Sequence, residues 1–267
     1  ITILQTADIH GQLDTHPELF WEEEKVVFKD RGGLANIKTL FELERQKNPG
    51  RTIIVDGGDL IQGSGYTALS EGKVMPNDPD VPVRQNPIFS TGIGFSGLDG
   101  KLKKMVDDIK VNENVDVLFL VTHIGIFKQV ELANNPIAEN VDYVLGNDTH
   151  ERVRKPIQGK YAKVTEPGAF GSFVGKLTLH FVDGKLVGDD YELIDVDPNE
   201  FPADKEVQTL VDKAKAPYRE HLETVVGYTE TPIYRYLTVE NPMDNMITDA
   251  ARWKTGADIS ISNGFRF

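Results

Sequence analysis

Between Val115 and Val121 the chain reads VDVLFLV, an almost continuously apolar run without glycine or proline. Such a run suits a central parallel strand covered on both faces, and parallel strands require long crossovers, usually helical. The rest of the first half supplies them. Ile1–Gln5, Thr52–Val55 and Val141–Leu145 are further apolar strand-like runs. Leu34, Ile37, Leu40 and Phe41 fall at helical spacing, and Asn48-Pro49-Gly50 ends that helix. Leu102, Met105, Val106 and Ile109 mark a second helix over Lys101–Lys110. Strands alternating with helices predict an α/β layered fold. Later, Gly171–Phe181 and Val187–Val196 read as a hairpin turning at Asp183-Gly184-Lys185, and Lys205–Leu222 as a helix with a charged outer face. From Gly227 the pattern changes to a strand-like piece (Ile233–Val239), a helix (Met243–Lys254) and an apolar strand (Asp258–Ser262).

Each of the four early strands runs into a polar cluster, and in α/β folds ligands bind at the carboxyl ends of strands. The clusters are Asp8-Ile9-His10, Gly57-Gly58-Asp59, Thr122-His123-Ile124-Gly125 and Gly146-Asn147-Asp148-Thr149-His150. Singly they say little: Gly-Gly-Asp is a common turn, and a lone histidine is more often hydrogen-bonded structure than a ligand. Jointly, carboxylates and imidazoles from four strand ends match the ligand set of a pair of divalent ions. The 267 residues include no cysteine, which excludes a thiolate zinc site and a disulfide framework and leaves Mn, Zn, Fe, Co or Mg. Lys and Arg number 29 against 42 Asp and Glu, a formal charge of −13, which disfavours binding of polymeric nucleic acid. An acidic protein can still handle phosphates where a metal supplies positive charge. No apolar run reaches the length of a membrane span.

The order of these clusters resembles the calcineurin-like metallophosphoesterases. Within them, Thr6-Ala7-Asp8-Ile9-His10-Gly11 and Arg31-Gly32-Gly33-Leu34-Ala35 resemble the 5′-nucleotidase and 2′,3′-cyclic phosphodiesterase family. Glu240-Asn241-Pro242-Met243-Asp244-Asn245-Met246-Ile247-Thr248-Asp249-Ala250 and Ala257-Asp258-Ile259 resemble the opening of that family's second domain. Asn263-Gly264-Phe265-Arg266 is similar to the start of its substrate motif, which makes Asn263 and Arg266 candidate substrate-binding residues. The thiosulfohydrolases of bacterial sulfur oxidation share the framework.

The resemblance implies a four-layer α/β sandwich, two sheets flanked by helices, over residues 1–202. A linker helix would follow over 203–226, and 227–267 would begin a second α/β domain. It implies two divalent metal ions, with Asp8 and His10 on the first, Asp59 bridging, His123 on the second and His150 returning to the first. It also implies hydrolysis of a small-molecule nucleotide, by a 5′-nucleotidase or a cyclic-nucleotide phosphodiesterase. A thiosulfohydrolase and a non-catalytic relative that binds metal or nucleotide are the alternatives. A periplasmic or extracellular location goes with the family; the chain opens directly on an apolar strand, with no signal peptide in it.

Two departures qualify the implied ligand set. Asp148 stands where the family usually has a histidine; a carboxylate there would favour Mn or Mg over Zn, or would simply cap the turn. The family's Gly-Asn-His block, which carries the catalytic histidine, occurs nowhere in the chain. Only Tyr66–Phe95 could hold it, and the sequence reads as if a segment were missing there; such a deletion would leave two sheet edges unpaired. His16, in Asp14-Thr15-His16-Pro17-Glu18, could line the cleft but is expected rather in a surface loop, and His180 and His221 are expected to be structural.

Overall fold

The computed structural model describes residues 1–71, 73–75, 100–113, 115–235 and 240–262. The chain divides into two compact units, Ile1–Leu222 and Glu223–Phe267. In the first, strands β1 (Thr2–Thr6), β2 (Thr15–Glu22) and β3 (Lys25–Gly32) precede helix α1 (Leu34–Lys47), strand β4 (Thr52–Asp56) and the short α2 (Gly65–Leu69). Helix α3 (Gly100–Asn112), strand β5 (Phe119–His123), helix α4 (Ile126–Ala133), and strands β6 (Tyr143–Asn147), β7 (Ile157–Gln158) and β8 (Lys163–Thr165) follow. The long hairpin β9 (Phe173–Val182) and β10 (Lys185–Asp195) then leads to α5 (Lys205–Lys215) and α6 (Arg219–Glu223).

Two four-stranded sheets carry the unit, with orders β10-β9-β1-β4 and β5-β6-β8-β7. The mixed α/β architecture expected from the sequence is therefore present. The strand period of two divides the side chains between two sets of packing. Ile3 of β1, Tyr143 and Leu145 of β6, and Leu177 and Leu179 of β9 form one buried cluster drawn from both sheets. Their alternates face outward: Leu4 and Val174 pack with Ile37, Leu40 and Val211 of α1 and α5, while Val144 and Val164 pack with Val106 of α3 and Ala133 of α4.

The apolar run at 115–121 behaves differently from its sequence reading. Pairing begins only at Phe119, because the Leu118 N–H donates to the Asp142 carboxylate at 2.7 Å instead of entering the ladder. Among the described residues β5 is an edge strand, not a central one, and Val121 is 44 % exposed. Strand β4 is likewise an edge among the described residues. Both flank the interval Tyr66–Phe95, of which residue 72 and residues 76–95 lie outside the described residues.

Sequence reading missed the β2–β3 hairpin, whose strands are interrupted by charges; it places His16 in a strand, not in a surface loop. The helix expected over Lys205–Leu222 is broken by a 3₁₀ turn at Ala216–Tyr218, where Pro217 lacks the N–H a continuous helix needs. The first part, α5, buries Val211, and Lys215 pairs with Asp14 in the loop after β1.

In the second unit, helix α7 (Pro242–Thr255) starts on Pro242 and ends on Gly256, whose φ of 71° makes a left-handed C-cap. Arg235 pairs with Asp244 at 2.8 Å, and Ser262 Oγ donates to Asp244 at 2.7 Å. Asp258–Ser262, expected as a strand, makes no strand pairing among the described residues, and Ile259 and Ile261 are exposed. An apolar run of that length forms a strand only against a partner ladder. No helix among the described residues is long and apolar enough to cross a membrane.

Candidate metal centre

Parallel pairing of β1 with β4, and of β5 with β6, brings the four polar clusters to the carboxyl ends of neighbouring strands. Backbone bonds then join the loops. Asp8 N–H donates to Gly58 O (2.9 Å), His10 N–H to Asp59 O (3.1 Å) and Gly125 N–H to Asn147 O (3.1 Å). Buried side chains tie one sheet to the other. Asn147 Nδ2 donates to Gly57 O at 2.6 Å, Gln5 Nε2 to Gly146 O at 2.9 Å, and the Asp148 N–H to Asp8 Oδ2 at 2.9 Å.

Asp8, His10, Asp59, His123, Asp148 and His150 converge. Asp8 is fully buried, and its Oδ1 lies 3.9 Å from His10 Nε2, 3.7 Å from His123 Nδ1 and 3.9 Å from His150 Nε2. Asp59 Oδ2 stands between two imidazoles, 3.5 Å from His10 Nε2 and 3.6 Å from His123 Nε2. Asp148 Oδ1 is 3.4 Å from His123 Nε2. Two sets of donor atoms, Asp8–His10–His150 and Asp8–Asp59–His123, each fit within 4.8 Å, and Asp8 belongs to both.

The backbone there is strained. Asp8, His10, Asp59, Asp148 and His150 have φ values of 50°, 52°, 53°, 98° and 61°, in the left-handed region that side chains rarely adopt. Such residues persist only where the surrounding structure over-determines them, and they cluster at functional sites. Glycines flank them for the same reason: at Gly63 (φ 136°) a Cβ would stand 2.9 Å from His10 Cβ.

The histidines present ring nitrogens inward. His10 Nδ1 lies 2.5 Å from Gln62 O, so that nitrogen carries the proton and Nε2 keeps its lone pair. Burial, and then the neighbouring His10 and His123, push His150 down to about 3, which keeps it neutral. Imidazoles and hard carboxylates, with no thiolate, form a donor set that fits Mn, Zn, Co or Mg. A cation would also relieve the repulsion of carboxylates gathered in so little water.

Several residues of the site were not read from the sequence. Glu166 is buried, its carboxyl raised by burial, and it accepts from Thr149 Oγ1 (3.0 Å) and from the Glu151 N–H (2.9 Å), bracketing His150. Phe170 also has a left-handed φ, 59°, and its ring packs against His10 and His150. The only sequence signal for Phe170 is the pair of glycines around it, Gly168 and Gly171. Asn263 and Arg266 lie outside the described residues.

No family model matches the chain. It is 24 % identical over 220 residues to the trifunctional nucleotide phosphoesterase YfkN of Bacillus subtilis, a match that covers 78 % of the chain but 14 % of that protein. Among solved structures, the sulfate thiohydrolase SoxB of Thermus thermophilus superposes with a TM-score of 0.80 at 17 % identity, covering 96 % of this chain and 67 % of its own. A 5′-nucleotidase precursor, also of Thermus thermophilus, gives 0.74 at 15 %, with the same coverages. The calcineurin-like phosphoesterase YfkN structure gives 0.61 at 15 %, covering 84 % of this chain and 99 % of its own. The chain has the calcineurin-like phosphoesterase fold. The resemblance read from the strand-end clusters is borne out by these neighbours, which include nucleotidases and phosphoesterases; the chain spans only a small part of the curated relative it matches.

Proposed function

We propose that the chain is a dinuclear metal-dependent phosphoester hydrolase, acting as a 5′-nucleotidase on nucleoside monophosphates or as a cyclic-nucleotide phosphodiesterase. The observation that carries this reading is the pair of donor sets sharing Asp8. Asp8, His10 and His150 would hold the first ion, and His123 and Asp148 the second. Asp59, standing between His10 and His123, would bridge the two. Bound there, the ions would polarise a phosphoryl oxygen as Lewis acids and acidify water at neutral pH.

The residues themselves do the positioning. The Gln62 carbonyl fixes the ring of His10, and the Asp148 N–H fixes the carboxylate of Asp8. Asn147 holds the loop after β6 against the loop after β4, so that ligands from both sheets keep one spacing. Four-layer stacking of the sheets and their helices is part of the proposal, with 227–267 opening a second domain in which Asn263 and Arg266 would meet a small-molecule nucleotide.

A thiosulfohydrolase-type reaction is the second reading, supported by the TM-score of 0.80 against the SoxB structure. It would use the same centre on a carrier-bound sulfonate. Absence of the Gly-Asn-His block supports the third reading, binding without turnover. Phosphate release from AMP with added manganese, measured beside cleavage of a carrier-bound sulfonate, separates the readings. Phosphate release supports the nucleotidase, sulfonate cleavage supports the second reading, and neither with metal bound supports the third.

A further inference from the structure

Phe170 combines three features that ordinary packing does not require. It is a bulky residue at φ 59°, a conformation that side chains rarely adopt. Its N–H donates to the Asp8 carbonyl at 2.7 Å, tying it to the backbone of the deepest carboxylate in the site. Its ring then touches imidazoles on several sides. The centroids of His10 and His150 lie at 5.7 and 5.2 Å, and the ring of His16 stands edge-on at 6.1 Å. His16 is itself anchored, with Nε2 3.1 Å from Ser172 Oγ, which donates to buried Glu18 at 2.6 Å.

We propose that Phe170 is a positioning residue of the metal centre: its ring, backed by His16, sets the orientation in which His10 and His150 present their Nε2 atoms. The inference rests on the metal-centre reading above and adds a residue to it. Two imidazoles on separate loops have independent ring torsions. Without a rigid surface beside them, each would leave the 3.0 Å approach of their Nε2 atoms for any competing rotamer. The left-handed backbone at Phe170 is what turns the ring toward both. A residue free to relax to negative φ would point elsewhere.

Manganese binding by the 267-residue chain, read from the signal of the free ion, tests this beside the thermal midpoint of the metal-free protein. Three variants separate the causes. Phe170→Leu removes the ring and keeps apolar bulk. Phe170→Gly removes the ring and relieves the backbone, since glycine adopts a positive φ without strain. Phe170→Tyr keeps the ring. The expected result is a loss of affinity of about 10–100-fold in Leu and Gly, the range typical of residues that orient metal ligands, with Tyr close to wild type. A merely structural role would lower the midpoint and leave the affinity of the folded fraction unchanged.

Wild-type affinity in Phe170→Leu and Phe170→Gly would overturn the positioning role and leave the metal centre standing. A wild-type chain that binds no manganese would overturn both. Loss of the fold in both variants, seen by circular dichroism, would make Phe170 a fold determinant and also overturn the proposal. So would a Tyr variant as weak as Leu.

Discussion

His10 Nε2 and His150 Nε2 meet at 3.0 Å although 140 residues separate them. With the His10 proton held on Nδ1 by the Gln62 carbonyl, the shared proton in the metal-free protein belongs to His150, which donates from Nε2. A cation entering between the two nitrogens would replace that proton.

The lowered His150 gives metal-free protein a specific acid sensitivity. Between the ordinary histidine value of 6.5 and about 3, the unfolded chain binds a proton at this position that the native chain refuses. Stability is therefore unpenalised above 6.5 and falls as pH drops through that window, by at most about 1.4 kcal/mol per pH unit for one proton. Thermal midpoints measured with a chelator from about pH 7.5 to 5 should decline, and His150→Gln should flatten the decline. An unchanged slope in the variant would show that His150 is not buried in its neutral form.

Asp59→Asn should weaken both ions, because Asp59 Oδ2 lies within 3.6 Å of a histidine from each donor set. His150→Ala should weaken mainly the first. Metal analysis after dialysis reads both. Asp59→Asn still holding two ions per chain would contradict the bridge.

Gly146→Ala tests the support beneath the site. A Cβ there would run into the carboxamide of Gln129, which is fully buried and donates to Asn147 O at 2.8 Å. Overpacking of this kind costs about 1–3 kcal/mol. Urea unfolding should show that loss, whereas Gly50→Ala, with nothing within 4 Å of its Cβ, should show only the smaller strain of its φ of 71°.

The strands, the first helices and the converging Asp and His side chains were legible in the sequence because local signals wrote them. Apolar runs ending in Gly, Asp and His mark strand ends, and parallel strands put those ends side by side. Residues that set those side chains in place were less legible. Glu166 and Phe170 act through contacts made only after both sheets are in place, and no spacing in the chain announces them. The β2–β3 hairpin was hidden because Glu18 and Arg31, charged residues in its strands, are buried by pairing with Arg152 and Asp197 rather than by apolar character. Among the described residues the apolar run at 115–121 pairs on one edge only, because apolar character does not report which edges find a partner.

The central claim is that six side chains from four strand ends hold two divalent ions, and equilibrium binding of manganese tests it most directly. The account predicts two ions per chain in the wild type, with the first ion lost in Asp8→Asn and the second weakened, since Asp8 would hold the first ion and its Oδ1 also lies 3.7 Å from His123 Nδ1. A wild-type chain that binds none, or an Asp8→Asn chain that binds as the wild type does, would contradict it.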